Sequence, residues 1–183
     1  RIAEQAAAEF AANKDQRSHS ADMLLGTAMD NYIQSRESVL SPRTIMDYKR
    51  IRRTSFQSLM NIRLSRITQE DVQIAINLEA ANHSPKTVRN SHGLLSAVLK
   101  QYRPDFALNT SLPKKQRVEL YIPTDEEVKR LIRASEGTEM ELPILLAAFG
   151  PMRRGEICAL DSTDISGNIV HVSKNMVRTE DNT

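Results

Sequence analysis

A mainly α protein is what the sequence predicts: a helical bundle over the first half, then the start of an α+β segment. Three observations carry that expectation. Glycine and proline are sparse, six and seven in 183 residues, too few for a loop-rich β protein. Helix-start signals recur: Ser41-Pro42 and Ser84-Pro85 each place a capping serine before a proline, and Thr68 with Asp71 and Thr124 with Glu127 have capping-box spacing. Apolar residues follow these signals three and four apart, and only "GNIVHVSKNMVR" near the end has strand character.

The elements follow in order. "RIAEQAAAEFAANK" is Ala-rich and strongly helix-forming, yet too short to stand alone. It predicts a helix over 1–17 that packs on something before Arg1, so the chain reads as an internal fragment. Ser20 caps a second helix over 21–37, with Leu24, Ala28, Tyr32 and Ile33 near one stripe. Ser41 and Pro42 open a third, with Ile45, Tyr48, Ile51 and Phe56 on its apolar face. Thr68 and Asp71 precede a fourth, "VQIAINLEAAN". Ser84 and Pro85 start a fifth, turning Val88, Leu95, Val98 and Leu99 inward. The last four helices make a small bundle over 18–103. Residues 104–122, with two prolines and "PKKQR", predict an interdomain linker. From 123 onward, Thr124 opens "DEEVKRLIRAS", and "LPILLAAF" predicts a buried helix ended by Gly150-Pro151. A short helix then carries Arg153 to Leu160, and a strand follows Ser166-Gly167, where a sheet begins.

Charge is distributed unevenly. The net value is only +2, but residues 41–103 hold eleven cations against four acids, between mildly acidic flanks. A basic block confined to a compact helical segment makes nucleic acid a serious partner. The lone Cys158 excludes an intrachain disulfide and a cysteine zinc site and fits a reducing cytoplasm. No apolar run reaches membrane-spanning length, no signal peptide is visible, and no cofactor or metal is predicted.

Two stretches could carry chemistry. "SPRTIMDYKRIRR" and "SPKTVRN" share a Ser-Pro-basic-Thr start, which gathers hydroxyls, a cation and backbone N–H groups at a positive helix end suited to a phosphate. Arg43, Thr44, Lys49 and Arg52 on the first, and Lys86, Thr87, Arg89 and Lys100 on the second, are the candidate DNA-binding residues. Ordinary capping with solvated charges explains one such helix; the repeated start favours DNA. The second stretch is "FGPMRRGEICAL". Arg153, Ile157 and Leu160 fall on one helix face, and Glu156 is spaced to brace the Arg153 guanidinium. Arg154 lies on another stripe with Cys158 and Asp161. An arginine fork suits a phosphoryl group, while a structural Arg–Glu pair is the simpler reading of these residues alone.

"AAFGPMRRGEICAL" resembles the first catalytic box of the tyrosine recombinases, the phage-integrase family: small-Thr-Gly-hydrophobic-Arg-x-Gly/Ser-Glu-hydrophobic. The chain departs by reading Phe-Gly-Pro-Met before the arginine but keeps Met-Arg-x-Gly-Glu. "LSPRTIMDY" and "HSPKTVRNSHGLLSAVLKQY" resemble the two helix starts of the family's core-binding domain, and "YIPTDEEVKRLI" the opening of its catalytic domain. The Ala-rich start is similar to the helix leading out of the arm-binding domain in integrases of prophages and conjugative transposons. The resemblance thus spans nearly the whole chain.

It implies a SAM-like helical core-binding domain at 18–103, a linker at 104–122, and the first part of an α+β catalytic domain at 123–183. It implies a site-specific recombinase that cuts and rejoins DNA through a 3′-phosphotyrosyl link, for integration or excision of a mobile element, without a cofactor. Arg153 corresponds to a transition-state arginine and Glu156 to its support. The family's general-acid lysine sits on a β-hairpin; Lys174 falls in the first strand of such a hairpin, but the resemblance favours a lysine beyond Thr183, with Lys174 as the alternative. The nucleophile follows Arg153 in the family's order, whereas Tyr32, Tyr48, Tyr102 and Tyr121 precede it, so the fragment is expected to be inactive alone. His83 and His92 are expected at the surface or facing DNA. Implied partners are duplex DNA at attachment or core sites, further copies in a tetramer on DNA, and an excision factor or DNA-bending protein, for a cytoplasmic protein encoded by a bacterium or phage. The alternatives are a non-catalytic DNA-binding regulator or excision factor, and a helical protein-interaction adaptor.

Overall fold

A computed structural model describes residues 22–115, 119–150 and 152–177, and the chain divides into two compact units between Arg117 and Val118. The expected helix over 1–17 and the cap at Ser20 lie outside the described residues. The described part is mainly helical, as expected, and none of its helices is long and apolar enough to cross a membrane.

The first unit holds α1 (Leu25–Gln34), α2 (Pro42–Thr54), α3 (Gln69–Asn82) and α4 (Pro85–Tyr102), with 3-10 turns at Gln57–Leu59 and Leu64–Arg66. Local chemistry sets three of the starts. Ser41 Oγ accepts the Thr44 N–H and Ser84 Oγ the Thr87 N–H, both at 3.2 Å. Thr68 and Asp71 form the reciprocal box: Asp71 N–H donates to Thr68 Oγ1 at 3.1 Å and Thr68 N–H to Asp71 Oδ2 at 2.9 Å. The Thr68 N–H first, and the Thr68 hydroxyl donating to the same oxygen second, hold the Asp71 carboxyl below its ordinary range.

α1 begins later than the sequence suggests, and the loop before α3 explains why. The Leu25 and Gly26 N–H groups donate to the Ile62 and Met60 carbonyls, each at 3.0 Å, so backbone acceptors supply the cap expected from a serine. Leu24, expected on the buried stripe, instead bridges to Arg63 and is exposed. Phe56 also departs from expectation. α2 stops at Thr54, and Phe56 adopts a left-handed φ of 53°. Its N–H is held by Glu79 Oε1 at 2.9 Å and its ring is buried in the core.

That core is continuous. Leu25 and Met29 of α1, Ile51 of α2, Val72 and Ile76 of α3, and Val88, Leu95, Val98 and Leu99 of α4 close around Phe56, Leu59 and Leu64. Tyr48, expected inward, is half-buried and tilts against Tyr32 with centroids 6.4 Å apart.

The first residues of the expected linker belong to this unit. After α4 the chain reverses, and Phe106, Leu108 and Leu112 pack on the core. Gln69 and Gln73, one turn apart on α3, read its main chain. Gln69 binds the Ala107 carbonyl and, at 3.0 Å, the Asn109 N–H. Gln73 binds the Ser111 carbonyl at 3.1 Å and its N–H at 2.7 Å. Residues 104–113 are thus a docked strap, because two side-chain amides and three apolar residues replace the ladder partners an extended segment lacks.

The second unit holds α5 (Asp125–Ser135), α6 (Glu141–Phe149), α7 (Arg154–Ala159), a 3-10 turn at Ser162–Asp164, and strands β1 (Ile165–Ser166) and β2 (Ile169–Val170). Thr124 and Glu127 form the expected capping box. Glu127 also accepts a bond from the Tyr121 side chain, which lowers the Glu127 pKa and raises that of Tyr121. The antiparallel pair has Ile165 opposite Val170, with Gly167 at φ 59° opening its two-residue turn, as a glycine-first hairpin requires. Two expectations fail here. α6, read as a buried helix, has no buried residue, and Phe149 is largely exposed. The strand read through "GNIVHVSKNMVR" is limited to Ile169–Val170, so Lys174 lies beyond the hairpin and not in its first strand.

Candidate nucleic-acid interface

The twin helix starts are duplicates in atomic detail. In each, the serine hydroxyl lies 2.9 Å from the threonine hydroxyl three residues on, Ser41 with Thr44 and Ser84 with Thr87. Thr44 and Thr87 are therefore engaged in capping. Proline brings no N–H at the first helical position, and the serine takes the third. Arg43 and Lys86 occupy equivalent positions, both exposed. Arg43 Nε lies 3.3 Å from Asp47 Oδ2, whereas Lys86 has no partner among the described residues.

The remaining candidates separate. Arg52 faces α1 and Lys49 the turn after it: Lys49 Nζ is 2.7 Å from Glu37 Oε1, and Arg52 Nε donates to the Gly26 carbonyl at 3.1 Å and lies 2.9 Å from Asp30 Oδ1. Arg52 thus ties α1 to α2. Lys86, Arg89 and Lys100 share one face of α4 by helical spacing. Arg89 donates from Nη2 to the Pro113 carbonyl at 2.9 Å, helping to seat the strap, while its buried Nε has no hydrogen-bond partner. His92 Nε2 lies 3.1 Å from Thr110 Oγ1; burial first, and the Arg89 charge second, lower its pKa below the ordinary value. Its imidazole faces the strap. His83 sits at the end of α3, exposed, 3.7 Å from Glu79 Oε2.

Between α2 and α4 runs an open groove of about 500 Å³, lined by Thr44, Asp47, Tyr48, Arg50 and Ile51 on one side and Arg89, Asn90, Gly93 and Leu94 on the other. Arg50, Asn90 and Gly93 were not among the sequence candidates. The signal was present: a glycine in mid-helix on the face of Lys86, Arg89 and Lys100. A Cβ at Gly93 would meet nothing within 4 Å, so packing does not require the glycine, and the groove floor stays open to a close approach.

In the second unit, Arg153 is the residue before α7, with extended backbone (φ −79°, ψ 151°). The expected sharing of a helix face with Ile157 and Leu160 is therefore absent, and the side chain is 85% exposed. The brace is present. Glu156 Oε2 accepts the Arg153 N–H at 2.7 Å and Oε1 accepts from Nη1 at 3.0 Å. The backbone bond first, then the side-chain bond, keep the Glu156 carboxyl below its usual range, hence ionised at neutral pH. One carboxylate fixes both ends of Arg153 and leaves the rest of its donor fork facing outward. Arg154 is exposed, and Asp161, on its stripe by spacing, is engaged elsewhere. Asp161 is taken by Lys174, whose Nζ lies 2.7 Å from Asp161 Oδ2 and 2.8 Å from Asp164 Oδ2. Those two carboxylates raise the Lys174 pKa, and it lowers both of theirs.

Compared with known proteins, the chain matches no family model, no curated protein and no solved structure.

Proposed function

We propose that the chain is the DNA-gripping part of a tyrosine recombinase, which cuts and rejoins DNA through a 3′-phosphotyrosyl intermediate to integrate or excise a mobile element. The observation that carries this reading is the clasp of Glu156 on Arg153, set in the order Met-Arg-x-Gly-Glu. A guanidinium fixed by one carboxylate and otherwise open is preorganised for a phosphoryl group. In the reaction, Arg153 binds the non-bridging oxygens as charge gathers on them. A tyrosine after Arg153 attacks phosphorus and the 5′-hydroxyl leaves, so the phosphodiester energy is kept in the covalent link. The first unit supplies affinity through Lys86, Lys100, Arg43 and the groove residues Arg50 and Arg89. Lys49, paired with Glu37 after α1, and Arg52, tied to α1, contribute less than the sequence implied.

A helical adaptor is the second reading, favoured by one observation: Arg43, Lys49, Arg52 and Arg89 all have partners within the unit. Binding of the chain to a duplex across a salt series separates the two. Counterion release predicts a steep log–log fall of affinity with salt. Lys86→Ala should flatten the slope by about one unit, because that cation is free to contact a phosphate. Lys49→Ala should barely change it. Salt-independent binding, or none, favours the adaptor. With a nicked suicide duplex the 183-residue chain should form no covalent adduct, since all four of its tyrosines precede Arg153.

A further inference from the structure

We propose that Lys174 is a positioning residue: by bridging Asp161 and Asp164 it holds residues 174–176 across the first turn of α7, and thereby fixes the helix start that presents Arg153. The inference rests on the reading of Arg153 as a phosphate ligand and adds the device that keeps it in place.

The bridge is built into a closed turn. Asp164 is buried, at 8% exposure. Its Oδ2 accepts the Asp161 N–H at 3.0 Å as well as facing Lys174, and its carbonyl accepts the His171 N–H at 2.8 Å. Both carboxylates follow the C-terminal end of α7. Lys174 thus anchors the returning chain at that end, and Met176 anchors it at the other: the Met176 N–H donates to the Gly155 carbonyl at 2.8 Å. Gly155 sits between Arg154 and Glu156, and its lack of a side chain is what permits the approach. A Cβ there would lie 2.8 Å from the Met176 carbonyl oxygen and closer still to Asn175 Oδ1. The segment therefore presses on the backbone beside Glu156, the carboxylate that holds Arg153. An ammonium held by two carboxylates is poorly suited to give up a proton near neutral pH. It is well suited to tie a loop. At 47% side-chain exposure the bridge adds little to global stability, so its effect is local.

The test uses the ¹⁵N-labelled 183-residue chain without DNA. Lys174→Met should speed hydrogen exchange of the Met176 amide by about tenfold or more, a local opening that leaves first-unit amides unchanged. It should also move the Arg153 side-chain signal toward that of unbraced Arg154. Lys174→Arg, which keeps the cation, should restore both. Asp161→Asn leaves the Asp164 contact and should give a smaller change of the same sign, a check that does not depend on how the methionine variant folds. If Lys174→Met leaves the Met176 amide protected and the Arg153 signal unmoved, or if arginine restores neither, the proposal is overturned. Because these signals are read without substrate, a longer enzyme that never cleaves DNA sinks the phosphate role of Arg153 and leaves the tie standing. In an enzyme that does cleave, a cleavage rate untouched by Lys174→Met sinks the tie.

Discussion

Among the described residues, the first unit buries twenty hydrophobic side chains and the second none, although the second carries "LPILLAAF" and a run of apolar residues in and after β2. The two regions use the same local grammar of Ser and Thr caps. What differs is length and closure. α4 runs for 18 residues and packs on α1 and α3, whereas α6 and α7 have nine and six. Short helices form no lasting structure without a partner face. In the second unit α5 packs on α6 and α6 on α7 with apolar residues only half-buried, and polar ties close the part around α7: Arg153 with Glu156, Lys174 with two aspartates, and Met176 with Gly155. A scaffold set by apolar packing tolerates loss of any one surface charge, while a site set by polar ties can be loosened by one.

The largest expected effect tests the packed side. Leu95→Ala should destabilise the first unit by about 2–5 kcal/mol in urea unfolding, from lost burial and the cavity left behind. Leu142→Ala in α6 should stay within about 0.5 kcal/mol, because that side chain is already exposed. Similar costs at both sites would break the contrast.

Two glycines sharpen it with opposite signs. Gly155→Val forces the Met176 backbone away and should cost about 1–3 kcal/mol locally, read as faster exchange of the Met176 amide. Gly93→Ala, in open space within α4, should stabilise the first unit by about 0.5–1 kcal/mol. A destabilised Gly93→Ala variant would show that the groove floor is tighter than described.

The strap gives an effect close in size to that of Gly93→Ala, and a pH-dependent one. The Gln69→Ala, Gln73→Ala double variant should speed exchange of the Asn109 and Ser111 amides, with about 1 kcal/mol of docking lost. Because the docked state lowers the His92 pKa, the undocked state binds the proton more readily. Docking is thus full above the ordinary value of 6.5 and weakens as pH falls below it. Unchanged exchange between pH 7.5 and 5.5 would exclude His92 as the cause.

These contrasts also mark how much was readable from the chain. Ser41, Ser84, Thr68 and Thr124 act on N–H groups within three residues, so their helix starts were legible. The pairing of Glu156 with Arg153 was legible for the same reason. The left-handed Phe56, the backbone cap of α1 and the docking of residues 104–113 depend on Glu79, Met60, Gln69 and Gln73, residues distant in sequence, and no local pattern announces them. Arg153 was placed on a helix face by spacing alone, but the helix begins one residue later, which turns its side chain outward.

Under the proposed function labour is divided: the first unit would supply affinity, and Arg153 chemistry. The most direct test of that proposal is cleavage of a nicked half-site, at saturating protein, by a longer form of the chain that includes a tyrosine after Arg153. Arg153→Lys should lower the cleavage rate by roughly 10²–10³ while DNA affinity is nearly kept, because a point charge lacks the arginine fork. Arg154→Ala should cleave close to wild type. Loss of cleavage in Arg154→Ala with an active Arg153→Lys would contradict the account and shift the phosphate ligand by one residue.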